Sequence, residues 1–158
     1  MYKLQRAYFY ILKFLSFIVG PFNRGKSLKL LRKAYEKQGV KFRGTIGYIH
    51  PKAFIDNRGT IVLGKNIVIS TNAILLAHDF SSYVRKAANG NTPPKSVDGE
   101  LIIGDNCFIG AGAIILPRTH IGNYCIIGAG SVVKGNIPDF SVVIGNPCKI
   151  IKQTNETK

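Results

Sequence analysis

The chain has 158 residues, 46% of them hydrophobic, with 17 glycines and no tryptophan, a size that suits one domain with a sizeable core rather than several. Its formal net charge is +14, and residues 1–44 hold eleven of the 22 Lys and Arg against a single acid, Glu36. Such an asymmetry favours an anionic partner: a membrane surface, a phosphorylated ligand or nucleic acid.

From the N-terminus, 2–19 and 26–38 are predicted helices separated by G-P-F-N-R-G, with Ser27 capping the second and Gly39 ending it. The first does not read as an export signal, because Lys13 breaks its uncharged run and no small-x-small cleavage site precedes Gly20-Pro21. It falls short of the roughly 20 apolar residues a membrane span needs. It therefore either packs on the rest of the chain or lies in a membrane interface, with Lys3, Arg6, Lys13, Lys26, Lys29, Arg32 and Lys33 facing anionic lipid.

From Tyr48 a six-residue beat begins, with aliphatic positions at Ile49 and Ile55, a two-residue slip near 60–62, then Leu63, Ile69 and Leu75. The beat stops in D-F-S-S-Y-V-R-K-A-A-N-G-N-T-P-P-K-S (79–96), which is polar and carries Asn-Gly and Pro-Pro. It resumes at Val97 and runs through Ile103, Ile109, Ile115, Ile121, Ile127 and Val133 without a miss. Within it, I-G-D-N-C-F-I-G-A-G-A-I (103–114) returns eighteen residues later as I-G-N-Y-C-I-I-G-A-G-S-V (121–132). A period of six fits neither a helix nor a flat strand. It fits a mainly β, triangular parallel solenoid: one hexad per face, eighteen residues per coil, the aliphatic residue pointing inward.

The expected organisation is a basic helical segment (1–44), a solenoid (45–152) with a long loop at about 79–96, and a frayed polar tail (153–158). Glycines 104, 110, 122 and 128, each directly after an inward residue, are expected to supply a corner conformation that β-branched residues cannot adopt. Cys107 and Cys125 share the small-residue position with Ala113, Thr119 and Ser131, and read as buried fillers rather than a disulfide.

A long loop in so regular a repeat is expected to be functional. His78 stands where it begins, in L-L-A-H-D-F, which makes this histidine the candidate catalytic residue. His50 reads as a corner residue and His120 as an exposed turn residue. Three histidines in different hexad positions lack the spacing of a zinc site on such a solenoid, so no metal is expected.

The hexads, the loop and the ending I-G-N-P-C-K-I-I-K (144–152) together resemble the hexapeptide-repeat acyltransferases over roughly 48–152. Among these the likeness is to the maltose, galactoside and capsule or O-antigen O-acetyltransferases. The resemblance implies a left-handed coil, a homotrimer with active sites between neighbouring solenoids, acetyl-CoA as co-substrate and a sugar or polysaccharide acceptor. It also implies direct transfer in the cytoplasm or at the inner membrane face. His78 would deprotonate the acceptor hydroxyl, and the Ala111 N–H would receive the oxyanion. Asp79 would bind an acceptor hydroxyl or orient His78. Ala111 and Ala129 would form the edge along which the pantetheine lies, and Phe108 stands where galactoside-type enzymes carry tryptophan. Lys149 and Lys152, with Lys134 nearby, would meet the adenosine phosphates.

Two other readings remain open from sequence. One is an amino-sugar N-acetyltransferase, although residues 1–44 lack the Gly-rich phosphate loop of a nucleotide-binding front domain. The other is a non-catalytic basic scaffold on a membrane. A nucleic-acid partner is not expected, since no recognition helix or aromatic stacking motif is present.

Overall fold

A computed structural model describes residues 2–56, 58–88, 90 and 97–155. Helix α1 (Tyr2–Val19) and helix α2 (Arg24–Lys37) form an N-terminal hairpin. The cap of α2 is Asn23, whose side chain accepts the Lys26 N–H at 2.9 Å, and not Ser27. Ser27 lies one turn too deep to cap. Its hydroxyl instead donates to the Ser16 carbonyl at 2.7 Å and ties the two helices together.

The hexads fold as three parallel sheets wound around one core. The first face carries Lys41–Phe42, Thr60–Leu63, Glu100–Ile103, Thr119–Ile121 and Asn136–Ile137. The second stacks Tyr48–Ile49, Val68–Ile69, Phe108–Ile109, Ile126–Ile127 and Ser141–Ile144, and the third Phe54–Ile55, Ile74–Leu75, Ile114–Ile115 and Val132–Val133. Inward residues register one above another: Ile69 on Ile109 and Ile109 on Ile127, Leu75 on Ile115 and Ile115 on Val133. All of these are fully buried.

Three boundaries differ from the sequence expectation. The solenoid begins at Lys41, not at residue 45, because Lys41 and Phe42 pair with Val62 and Leu63. After the loop it resumes at Glu100 rather than Val97, since Val97 pairs antiparallel with Asp79 outside the coil. The tail is not frayed at its start: Gln153 ends a strand, Lys149–Gln153, that turns back antiparallel on Ser141–Ile144, and the Thr154 hydroxyl donates to the Tyr124 carbonyl at 2.8 Å. Residues 156–158 of the tail, with 89 and 91–96 of the loop, lie outside the described residues.

The corner glycines serve a purpose other than the expected one. Residues 104, 110, 122 and 128 are not in the left-handed region. What they permit is the close approach of the next coil, for a Cβ on Gly110 would sit 2.5 Å from the Ala129 nitrogen. The left-handed position comes two residues later, at Asn106 (φ 56°), Gly112 (φ 66°), Tyr124 (φ 57°) and Gly130 (φ 68°), so glycine is optional there. Gly110→Ala is therefore expected to destabilise by a few kcal/mol, having backbone as its clashing neighbour. Gly112→Asn should cost under about 1 kcal/mol, because asparagine tolerates this conformation. Urea melts of the two variants check the ordering; equal losses would contradict it.

A ladder of side chains fixes the corner between the first and second faces. Asp105 accepts the Lys65 N–H (2.9 Å), Asn123 the Asp105 N–H (2.8 Å) and Asp139 the Asn123 N–H (2.8 Å), each coil capping the one below. At the open first coil, Leu31 and Tyr35 of α2 join the solenoid core, and the Tyr35 hydroxyl donates to the Ala53 carbonyl at 3.1 Å. Cys107 and Cys125 are buried free thiols, whose sulfurs point at the Gly122 and Pro138 carbonyls (3.0 and 3.1 Å).

Candidate active site

The corner between the third and first faces is where the beat breaks. After inward Leu75, the chain leaves the coil, and His78 and Asp79 pair antiparallel with Asp98 and Val97 at the base of the loop. The loop carries a short helix, α3 (Ser81–Ala88). One coil below, Asp56 follows inward Ile55 at the same corner and is almost fully buried. Its Oδ2 makes a hydrogen bond with Nδ1 of His78 and also accepts the Ala77 N–H at 3.1 Å, while Oδ1 accepts the Arg58 N–H at 3.2 Å. With its Nδ1–H donating to Asp56, His78 keeps the lone pair of Nε2 free to take a proton.

The imidazole is also held by packing. The Phe80 ring meets it edge-on with centroids 5.3 Å apart, and the Arg58 guanidinium lies over Phe80 at 5.5 Å. His78 is 21% exposed and opens onto a cavity of about 250 Å³, whose walls include Ser81, Leu116, Pro117, Arg118 and Lys134. Arg118 and Lys134 bring two cations to the cavity wall, which the Asp79 carboxylate also lines, and among the described residues neither cation has an ion-pair partner.

The carboxylate bonded to Nδ1 of His78 is that of Asp56, twenty-two residues earlier, and not that of adjacent Asp79. The Asp79 carboxylate accepts the Ser81 N–H and hydroxyl, both at 2.7 Å, and so fixes the first turn of α3. This is what an aspartate two residues before a helix start does well, and its direction away from His78 follows from the alternation of an extended segment.

The expected donor residues lie elsewhere in the chain. Ala111 and Ala129 are exposed at the corner between the second and third faces and stack on each other through Gly130 N–H to Ala111 O (2.9 Å). Among the described residues, neither alanine's own amide donates to a backbone carbonyl of the chain, which leaves two N–H groups at that corner without a backbone partner. Phe108 points outward from the second face, between Val68 and Ile126. Lys149 and Lys152 are exposed on the returning strand opposite Ile144 and Val142. Lys134 is not near them in the sense expected. It lines the cavity of His78, at the other end of the third face, about 16 Å along the chain from Ala129 at strand rise. One chain thus divides these residues between two edges.

The remaining histidines are peripheral. His50 sits after a second-face strand, where its Nδ1 accepts the Lys52 N–H at 3.1 Å; partial burial, then the nearby Lys52 charge, lowers its pKa. His120 is exposed as expected but lies in a first-face strand rather than a turn, 3.7 Å from Glu100. Among the described residues, no group of three or more His, Cys, Asp or Glu side chains is placed to hold a metal ion.

Asp56 and Arg118 are the residues that sequence reasoning missed. Asp56 had a signal, since a carboxylate stands in the corner position that other coils fill with Leu76, Leu116 or Lys134. Arg118 had none, because its place in the cavity comes from a left-handed backbone that many residue types share.

Comparison with known proteins bears on this geometry. Residues 101–135 match the family described as bacterial transferase hexapeptide (six repeats). The chain is 32% identical over 127 residues to the putative lipopolysaccharide biosynthesis O-acetyl transferase WbbJ of Escherichia coli (strain K12), covering 77% of this chain and 65% of that one. It is 40% identical over 109 residues to serine acetyltransferase 5 of Arabidopsis thaliana, covering 65% and 32%. The chain thus spans less than two thirds of the length of these curated relatives. Among solved structures it is similar to a galactoside acetyltransferase in complex with coenzyme A (TM-score 0.65, 20% identity, covering 97% of this chain and 82% of that). A maltose O-acetyltransferase from Clostridium difficile 630 gives a TM-score of 0.61 at 23% identity, covering 97% and 89%. These structural likenesses establish the fold as the left-handed parallel β-helix.

Proposed function

We propose that this chain is a member of the hexapeptide-repeat transferase family and, within it, an acetyl-CoA-dependent O-acetyltransferase acting on a sugar hydroxyl in surface polysaccharide biosynthesis. The observation that carries the reading is the Asp56–His78 pair at the one long break in the repeat, opening onto a cavity. A buried carboxylate behind an imidazole whose outer nitrogen is free is the arrangement a general base needs. The relative's name points to lipopolysaccharide as the acceptor's class.

In this reading His78 Nε2 takes the proton of an acceptor hydroxyl as its oxygen attacks the thioester carbonyl of acetyl-CoA. The C–O bond forms, an amide such as that of Ala111 receives the oxyanion, and the C–S bond then breaks. The thiolate leaves with the proton returned by the imidazolium, so no covalent enzyme intermediate is needed. Asp56 stabilises the imidazolium meanwhile. The thiols of Cys107 and Cys125 are buried in the core and take no part.

The two amides without a backbone partner at Ala111 and Ala129, with small side chains and exposed Lys149 nearby, suit a pantetheine arm and its phosphates. Because His78 lies on a different edge, the reading includes a homotrimer in which one solenoid offers the base and its neighbour the donor edge. Light scattering checks this, with three protomers expected. It also includes a cytoplasmic location, where the donor is made.

The direct test is thermal. Acetyl-CoA at about a hundredfold excess over its Kd should raise the Tm by about 5–10 °C. Lys149→Ala with Lys152→Ala should shrink the shift, while His78→Ala should keep it. No shift at millimolar acetyl-CoA would remove the enzyme reading.

A further inference from the structure

Helix α1 buries one stripe and leaves the opposite one bare. Leu12 and Ser16 are buried, and Phe9 packs against the solenoid core. On the other side, at helical spacing, Leu4 is 80% exposed, Ile11 55%, Phe14 64% and Ile18 47%, and Phe22 just beyond the helix is 88% exposed. No charged residue interrupts that outward stripe, which runs about 20 Å at helical rise. Single exposed apolar residues need no explanation, but a continuous face of this length does.

The basic residues of the hairpin sort differently from the sequence expectation. Lys13 turns inward: its Nζ donates to the Ala53 carbonyl at 2.9 Å beneath Phe9 and Tyr35, and burial lowers its pKa. Arg32 pairs with Glu36 and donates to the Gly44 carbonyl. The side chain of Lys3 lies outside the described residues. Lys26, Lys29 and Lys33 remain exposed on α2, and the chain's only acid before residue 45 is the Glu36 already paired with Arg32.

We infer that the outward face of α1, together with the exposed lysines of α2 in the same helical hairpin, docks the protein on an anionic lipid surface. The hairpin lies in the interface and does not cross, since no helix among the described residues is long and apolar enough to span a membrane. Aromatic and aliphatic side chains enter the headgroup boundary, and the lysines meet lipid phosphates. Charge favours lipid over a second copy of the chain. Copies meeting through this face would bring like-charged lysine rows together on molecules of net charge +14, whereas an anionic surface neutralises them.

Co-sedimentation of the full chain with vesicles tests this, one set of phosphatidylcholine alone and one of equal parts phosphatidylcholine and phosphatidylglycerol. The protein should pellet with the mixed vesicles and about tenfold less with the neutral ones. Phe14→Ser with Ile18→Ser should abolish pelleting while leaving the circular dichroism melt unchanged, since both side chains are solvent-exposed. Lys29→Glu with Lys33→Glu should reduce it about tenfold. Three outcomes overturn the inference. One is protein left in the supernatant with mixed vesicles, and another is equal pelleting with neutral and mixed vesicles. The third is a Phe14→Ser, Ile18→Ser protein that light scattering finds in a smaller assembly than the parent, which would assign the face to a second copy. None of these outcomes depends on the chain being an acetyltransferase.

Discussion

Replacing His78 by alanine is expected to slow acetyl transfer by about 10²- to 10⁴-fold, the usual contribution of a positioned general base. The fold should survive, because His78 belongs to the loop base and not to the stacked core, where Leu75 and Ala77 are fully buried. The informative companion is Asp56→Asn. Asp56 acts through His78 and touches no reacting atom, so kcat should fall while KM for acetyl-CoA stays put. A purely structural Asp56 would instead lower the melting temperature and leave the kcat of the surviving folded enzyme where it was. Steady-state rates and melting temperatures of the two variants separate the cases, and wild-type turnover by His78→Ala would end the general-base assignment.

The second large effect concerns the core. Ile109 is fully buried, with Ile69 below it and Ile127 above. Ile109→Asp places an unpaired charge in that column and is expected to cost on the order of 5 kcal/mol or more, enough to unfold a domain of ordinary stability. Ile109→Val, which removes one methylene and keeps the shape, should cost only about 1 kcal/mol. Denaturation midpoints of the pair measure the contrast. A soluble, cooperatively melting Ile109→Asp protein would mean that the column tolerates charge and that the beat does not define the core.

The repeat made the core legible because inward aliphatic residues in a coil of constant length must fall at a constant spacing. Ile103, Ile109, Ile115, Ile121, Ile127 and Val133 all take the place the spacing predicts. Val97 kept the spacing yet left the coil. A single residue on a six-beat cannot reveal that its backbone partner is Asp79, because an antiparallel ribbon draws on the same β-branched residues. The glycines misled for a related reason. Gly110 and Gly112 look alike in sequence, but one answers to a neighbouring backbone and the other to its own torsion. At the site, His78 was legible from the break in rhythm. Its partner Asp56 stood out only as a carboxylate in a corner position twenty-two residues earlier, and the stacking of coils is what brings the two together. Adjacent Asp79 was the nearer choice in sequence and is turned to Ser81 in space.

A coil of parallel strands has no built-in stopping point. Each turn presents the next with a full row of donors and acceptors, so a bare terminal turn would accept a turn from another molecule as readily as one of its own. Here the first coil and the last strand of the second face are both covered. At one, Leu31 and Tyr35 sit over the first coil as part of its interior. At the other, Lys149–Gln153 runs against the direction of every strand beneath it on the second face and presents lysines on that outermost strand. A molecule arriving in the parallel sense meets reversed polarity and charge. The returning strand therefore closes the second face to a further parallel strand.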